Sequence, residues 1–318
     1  MPAENLVIGI DIGGTKIAGG VVDGNGQILR RSFRPTPGQN AALTEDAIAA
    51  VVTELSDGNQ HLPVGIGAAG WINRSGSHVL FSPHLAWRDE PVLERLEAKM
   101  NRQVSLNNDA DAAGWAEHRF GAARGEKLSV CLTLGTGIGG AIIFDNRILR
   151  GSFGVAGEFG HQTLVVEGHR CPCGNRGCWE QYASGNALGR EAAELVRLNS
   201  PRAHNLRDAC SSDPALVTGA MVTSLAADGD LACMELIEEM GHWLGMGISN
   251  LAAVLDPGVV VIGGGLGSAS TSLISTAEAT YRKLLPGRGY RPYARIVRAQ
   301  LGADAGLIGA ADLARYGR

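Results

Sequence analysis

The sequence predicts an α/β protein built from two related domains. Three observations carry that expectation. The chain has 318 residues, a length at which two domains are ordinary. Two segments share one pattern of strand, glycine turn and returning strand: VIGIDIGGTKIAGGVVD, ending at Asp23, and VCLTLGTGIGGAIIFD, ending at Asp145. A helix-period segment, residues 241–255, runs through Asp256-Pro257-Gly258 into the apolar run Val259–Ile262 and a glycine turn, which is one α/β unit.

The first two segments repeat at a fixed spacing. Gly13 aligns with Gly135 and Asp23 with Asp145, an offset of 122 in both cases. A repeat this far apart implies two similar domains, each opening with a β-hairpin. Both turns can present backbone N–H groups to a phosphate chain. Two hairpins with glycine for geometry are the plainer alternative. Asp11 beside one turn and Thr136 within the other favour the phosphate reading, because the two then agree as one site. No GxxxxGK[ST] is present, so this is not a Walker loop.

The third glycine turn, Gly263–Gly267, follows the apolar strand. Close backbone approach there suits a flat nucleobase or its ribose, and equally a tight strand-to-helix turn. In Val104-Ser-Leu-Asn-Asn-Asp-Ala-Asp, a strand ends near Leu106 and a helix begins within residues 110–115. Asn108 and Asp109 are thereby placed at the carboxyl end of a strand, where open α/β sheets put ligands. Asp109 is a candidate general base and also a candidate N-cap. Asp111 competes with it, although an acid in a first helical turn is stabilised without any chemistry.

The segment EFGHQTLVVEGHRCPCGNRGCWE, from Glu158 to Glu180, has metal-ligand character. Cys171, Cys173 and Cys178 fall within eight positions, with Gly174 and Gly177 to make the turns. Three thiolates and an imidazole suit a closed tetrahedral zinc site of structural type. His161 is favoured over His169 as the fourth ligand, since a ligand two residues from Cys171 would be strained. The other cysteines, Cys131, Cys210 and Cys233, are scattered. MPAEN leads directly into an apolar strand with no leader-like segment, so a reducing cytoplasmic setting is expected, where clustered thiols bind metal.

Composition narrows the function further. A net charge of −4 offers no basic footprint for nucleic acid. No apolar run approaches the roughly 20 residues that span a bilayer. Asn199 to Thr218 is polar, broken by Ser-Pro and Asp-Pro, and reads as a surface excursion. Trp243 and Met246 are expected in a core or at an oligomer interface. The expected domains are residues 1–106 with the C-terminal helix at 303–318, and residues 107–302.

Five motifs in order carry a family resemblance: Asp11-Ile-Gly-Gly-Thr-Lys16, Asn108-Asp109-Ala-x-Ala-Ala, Gly135-Thr-Gly-x-Gly-Gly140, Glu158-x-Gly-His161 and Cys171-x-Cys-Gly-x-x-Gly-Cys-x-Glu180. The chain resembles the ROK family (repressors, open reading frames, sugar kinases) from Val7 to the C-terminal helix, and within it the bacterial ATP-dependent glucokinases. That resemblance implies an actin-like, hexokinase-type fold of two α/β domains around a central cleft. It implies glycolytic transfer of the γ-phosphoryl group of ATP to the 6-hydroxyl of glucose. Asp11, Gly13, Gly14, Thr15 and Lys16, with Gly135, Thr136, Gly137 and Gly139, would hold the phosphates. Asp11 would lie near Mg²⁺, and Gly264 and Gly265 near the adenosine. Gly70, Asn108, Glu158, His161 and Glu180 would contact the sugar, with Asp109 as catalytic base. His161 would turn one ring nitrogen to Zn²⁺ and the other to the sugar, with Cys171, Cys173 and Cys178 completing the metal site.

Two departures stand out. Asp111 occupies a position where the family often has Asn, and Ala-Ala-Gly70 lacks a proline that many relatives carry. Homo-oligomers, dimer or tetramer, are common in the family. Kinases of N-acetylglucosamine or N-acetylmannosamine share this scaffold, and polyphosphate is an alternative donor, which the negative net charge disfavours. A sugar-sensing repressor needs a DNA-binding module before the first glycine turn, and only about six residues precede the first strand.

Overall fold

The computed structural model describes residues 5–38 and 40–316, so the extreme ends and residue 39 of the expected first domain lie outside the described residues. The expected α/β class is present. The chain divides into two compact units: Met1–Cys131 with Ala141–Gly157 and Ala303–Arg318, and Leu132–Gly140 with Glu158–Gly302. The first unit thus runs on beyond Leu106 and takes back a second segment, residues 141–157.

The first unit is built on a five-stranded sheet. Its strands are β1 (Val7–Ile12), β2 (Lys16–Val22), β3 (Ile28–Pro35), β4 (Val64–Ala68) and β8 (Val104–Asn108), in the order β3-β2-β1-β4-β8. Strands β1, β2 and β3 pair antiparallel, whereas β1–β4 and β4–β8 pair parallel. Short strands β5 (Trp71–Ile72), β6 (Val79–Phe81) and β7 (Arg88–Glu90) form an antiparallel sheet of three. Ile8, Ile10, Ile12, Ile17 and Ile66 are wholly buried with Ile48 and Val51 of α1 (Ala41–Ser56) and Leu96 of α2 (Val92–Met100). Each such side chain contributes roughly 1.5–3 kcal/mol by leaving water.

Helices α3 (Asp109–Phe120) and α10 (Ala305–Arg315) complete this unit. Gly9 and Gly65 are register partners on β1 and β4. A Cβ at these positions would meet the α10 carbonyl oxygens of Leu307 and Ala310 at 2.1 and 1.8 Å. Only glycine lets α10 lie this close to the sheet, which is why the C-terminal helix belongs to the N-terminal unit. Buried Asp312 of α10 accepts from Trp115 Nε1 (2.9 Å) and Arg119 Nε (3.0 Å), tying α3 to α10. This explains why the first unit continues past β8.

A second sheet has the order β11-β10-β9-β12-β13, from β9 (Leu128–Leu134), β10 (Ile138–Phe144), β11 (Arg147–Ile148), β12 (Val259–Gly263) and β13 (Arg295–Arg298). The chain passes from one unit to the other within β9 and returns within β10. The second unit carries α4 (Gly185–Arg197), α5 (His204–Ala209), α6 (Gly219–Ala227), α7 (Leu231–Leu255), α8 (Gly264–Ala269) and α9 (Thr271–Leu284). Helix α7 starts ten residues earlier than the periodic segment suggested, at an Asp230 cap that accepts from Cys233 N–H at 2.8 Å. It ends at left-handed Asp256, before Pro257. The expected excursion at 199–218 is helical in part, with Leu206 and Cys210 buried, so it is anchored rather than loose.

Candidate functional site

In the first unit, β8 ends at Asn108 and α3 starts at Asp109. Asn108, not Asp109, is the N-cap: its Oδ1 accepts from Asp111 N–H at 3.0 Å, and its Nδ2 donates to the Gly70 carbonyl at 2.9 Å. The register explains the choice, because Asn108 is still paired with Ala68 as the last strand residue. Asp109 is left for another role. Its Oδ1 accepts from the Ala110 N–H at 2.9 Å. Burial pushes its carboxyl above the usual range, offset in part by backbone N–H groups and by His84. Gly70 has φ of 139°, and a Cβ there would sit 2.5 Å from the Phe81 carbonyl oxygen, so no other residue fits.

The first glycine turn joins β1 to β2 beside this junction. Gly13 N–H donates to the Lys16 carbonyl at 3.0 Å, and Thr36 braces the turn by donating its hydroxyl to Gly13 O at 2.8 Å and its N–H to Thr15 O at 3.0 Å. Gly14, Thr15 and Lys16 are exposed, so their backbone is open to a ligand. The Lys16 ammonium lies over the Phe33 ring, 4.8 Å from its centroid. Asp11 packs its carboxyl against the start of α10, about 3 Å from the Cβ position of Gly306. Burial, then the charge of Asp109, lift Asp11 to about 7, and Lys16 opposes them. His84 packs against Gly14, with its Cβ 3.0 Å from the Gly14 Cβ position. Nothing in the sequence around this loop histidine marked it, yet its charge acts on Asp109.

In the second unit, the turn Gly135-Thr136-Gly137 is closed by Gly135 N–H donating to Gly137 O at 3.0 Å. It docks on the start of α4: Gly185 and Asn186 N–H donate to the carbonyls of Gly135 (2.8 Å) and Thr136 (3.3 Å). A cavity of about 640 Å³ opens here, lined among others by Thr136, Gly185, Asn186, Thr218, Gly219 and Gly265. Its volume is in the range of small-molecule sites. Gly265 lines it, whereas Gly264 backs against β9, its Cβ position 2.3 Å from Leu134 O. Gly139 falls in β10. Asn186, Thr218 and Gly219 escaped the sequence reading because α4 and α6 bring them together from separate stretches.

The cysteine segment folds into one compact group. One ligand atom each from His161, Cys171, Cys173 and Cys178 lies within 4.8 Å of the others. Cys173 Sγ and Cys178 Sγ are 3.6 Å apart, and Cys171 Sγ is 3.7 Å from His161 Nδ1. These cysteines are free. A zinc tetrahedron with ordinary Zn–S and Zn–N bonds has edges of roughly 3.5–3.8 Å, so the residues fit that ion. The other histidine stands apart: the His169 ring stacks on Tyr182 at 5.2 Å. Trp179, wholly buried between Cys178 and Glu180, donates to Trp243 O at 2.9 Å and lies against Gly247, which anchors the knuckle to α7.

Two carboxylates flank His161. Glu158 Oε2 is 3.9 Å from Nε2, and Glu180 Oε1 is 3.6 Å from Nδ1 and 3.2 Å from Cys171 Sγ. Of the sequence-derived sugar set, Glu158, His161 and Glu180 therefore form one group in the second unit. Gly70, Asn108 and Asp109 form another in the first.

The chain matches the ROK family over residues 7–316. A glucokinase of Streptomyces coelicolor is 44% identical over 310 residues, 98% of each chain. A glucokinase of Thermotoga maritima is 33% identical, also over 98% of each chain. Among solved structures, a ROK family glucokinase from Streptomyces griseus in complex with glucose and AMPPNP superposes with a TM-score of 0.90 at 43% identity, covering 98% of this chain and 100% of that one.

Proposed function

The chain belongs to the ROK family, and from that premise we propose that it acts as an ATP-dependent glucokinase, giving glucose 6-phosphate and ADP. Its fold is the actin-like sugar-kinase fold that the motifs implied. The observation that carries the proposal is Asp109: a carboxylate at a strand end, excused from capping its helix by Asn108 and lifted by burial toward proton affinity.

Phosphoryl transfer through a loose transition state needs positioning and charge neutralisation more than covalent help. Asp109 accepts the 6-hydroxyl proton as the oxygen attacks the γ-phosphorus. The Gly13–Lys16 and Gly135–Gly139 turns hold the phosphates, with the Gly13 and Gly135 N–H groups used to close the turns themselves. The large cavity of the second unit takes the adenosine, whose flat base fits a wall of glycines. Glu158, His161 and Glu180, with Asn108 and the Gly70 backbone, read sugar hydroxyls. A sugar lacking one of these leaves buried polar atoms unpaired, which is costly. Asp11, beside the first turn, would hold Mg²⁺, whose charge offsets that of the phosphates. The Cys171–Cys173–Cys178–His161 set would hold Zn²⁺, fixing the His161 ring so that Nε2 faces outward.

The proposal extends to a homo-oligomer working in the cytoplasm at the entry of glucose into glycolysis. No described helix is long and apolar enough to cross a membrane. An ADP-release assay with Mg-ATP and glucose, mannose, N-acetylglucosamine or N-acetylmannosamine tests the reading. A strong preference for glucose supports it, and turnover favouring an N-acetyl sugar overturns it.

A further inference from the structure

Under the β8–α3 junction the first unit encloses a cavity of about 240 Å³, with Ser105, Asn107, Asp111 and Arg150 on its polar wall. Asn107 and Asp111 are 3% and 4% exposed. Polar side chains so far from water persist only when they are well partnered. Arg150 supplies the partner. It comes from just beyond β11 and donates through Nη2 to Asn107 Oδ1 at 2.6 Å, while its Nε lies 3.7 Å from Asp111 Oδ2. Asn107 in turn donates to Ser105 Oγ at 3.0 Å. The loop behind Arg150 is fixed: its carbonyl accepts from Ala156 N–H at 3.2 Å. Gly154 is pressed onto residues 72–74, its Cβ position 2.5 Å from Ile72 O.

Asn107 and Asp111 bracket Asn108 and Asp109 in the chain. One guanidinium therefore holds both sides of the turn that carries the base. We propose that Arg150 is a positioning residue for phosphoryl transfer: by balancing Asp111 and clamping Asn107, it sets where the first turn of α3 presents Asp109. This rests on the reading that Asp109 receives the 6-hydroxyl proton. Without Arg150, a buried Asp111 carboxylate would stand two residues beyond Asp109 in the same turn with the Arg150 countercharge gone. Asp111 would then turn outward or pull solvent in, and Asn108, which holds the Asp111 N–H and the Gly70 carbonyl, would move with it. A misplacement on the order of 1 Å at a reacting group costs about 10²-fold in rate.

The test compares Arg150→Met, Arg150→Lys, Asp111→Asn and the double variant Arg150→Met/Asp111→Asn in steady-state glucose phosphorylation, with Asp109→Asn alongside. Arg150→Met is expected to lower kcat by on the order of tenfold or more, with KM for Mg-ATP little changed. Arg150→Lys should recover part of the loss. Asp111→Asn removes the charge that needs balancing, so the double variant should be faster than Arg150→Met alone. A merely structural arginine would lower thermal stability and active fraction, leave kcat per folded enzyme intact, and gain nothing from Asp111→Asn; that result overturns the proposal. If Arg150→Met does not fold, Arg150→Lys carries the test, and a full kcat per folded Arg150→Lys enzyme at lowered thermal stability overturns the proposal equally. Turnover kept by Asp109→Asn would sink the base assignment and this proposal together. Turnover lost in Asp109→Asn but kept in Arg150→Met would sink this proposal alone.

Discussion

Glu180 Oε2 stands 2.5 Å from the point where a side chain on Gly137 would begin, while Glu180 Oε1 lies 3.2 Å from Cys171 Sγ. One carboxylate thus leans on the second glycine turn with one oxygen and on the cysteine group with the other. Gly137→Ala should displace Glu180. The obstructing atom is the end of a flexible side chain, so stability should fall by less than about 1 kcal/mol. Activity should suffer more, because a displaced carboxylate no longer meets its sugar hydroxyl. A rise in KM for glucose of about tenfold at near-normal Tm is the expected outcome. Unchanged kinetics would show that Glu180 does not read the sugar.

Asp109→Asn keeps an oxygen to accept from the Ala110 N–H and removes a carboxylate that burial disfavours. The variant should therefore be as stable as the parent or more so. Its kcat should drop by roughly 10²–10⁴-fold, the usual contribution of a positioned base. Thermal melting and kcat measured on the same preparation separate chemistry from folding, and the reading fails if both stay level.

Asp11 makes a pH prediction with a definite sign. Its folded pKa, raised to about 7 first by burial and then by Asp109, exceeds that of an unfolded aspartate near 4. A group raised in the fold contributes stability that is fully present below the unfolded value and is lost as pH rises through the folded one. Stability should therefore decline between pH about 4 and about 7, and Asp11→Asn should flatten that slope. Mg²⁺ affinity should run the opposite way and strengthen as Asp11 ionises. Denaturation midpoints and Mg²⁺ titrations across this range are the measurements. A pH-independent Mg²⁺ affinity would remove Asp11 from the metal's surroundings.

The parts legible in the sequence were local in the chain. The glycine turns, the strand-to-helix junction around Asn108 and Asp109 and the cysteine spacing each occupy a few consecutive residues, so geometry follows from composition, although the strand runs two residues past the expected end at Leu106. What escaped was assembled by tertiary packing. His84 meets Gly14 across a turn, Thr218 and Asn186 meet only where α6 and α4 cross, and Arg150 reaches Asn107 from 43 positions away. The capping of α3 was ambiguous for a different reason. Asn and Asp are both favoured caps, and only the β4–β8 register decides that the strand includes Asn108.

The cysteine group should be the stability anchor of its segment. Burial first, and then neighbouring thiol groups, keep the Cys171 and Cys178 thiols neutral, and a bound cation would reverse that balance. Cys173→Ser should release zinc, measured as metal per chain, and lower Tm. Because Glu180 and His161 both touch Cys171, KM for glucose should rise more than KM for ATP. Full zinc content in the variant, or a zinc-free enzyme of unaltered KM, would refute the scaffold role.

Gly219 tests the nucleotide cavity independently of the sugar. A Cβ there would sit 2.5 Å from the Gly185 carbonyl oxygen, and that oxygen belongs to backbone that cannot swing aside. Gly219→Ala must push α6 away from α4, whose first residues also hold the Gly135 and Thr136 carbonyls. The cavity wall and the second glycine turn should shift together. KM for ATP should rise on the order of tenfold, the equivalent of about 1.4 kcal/mol, while glucose binding measured without nucleotide stays as it was. A variant with weakened glucose binding and normal KM for ATP would place the adenosine elsewhere.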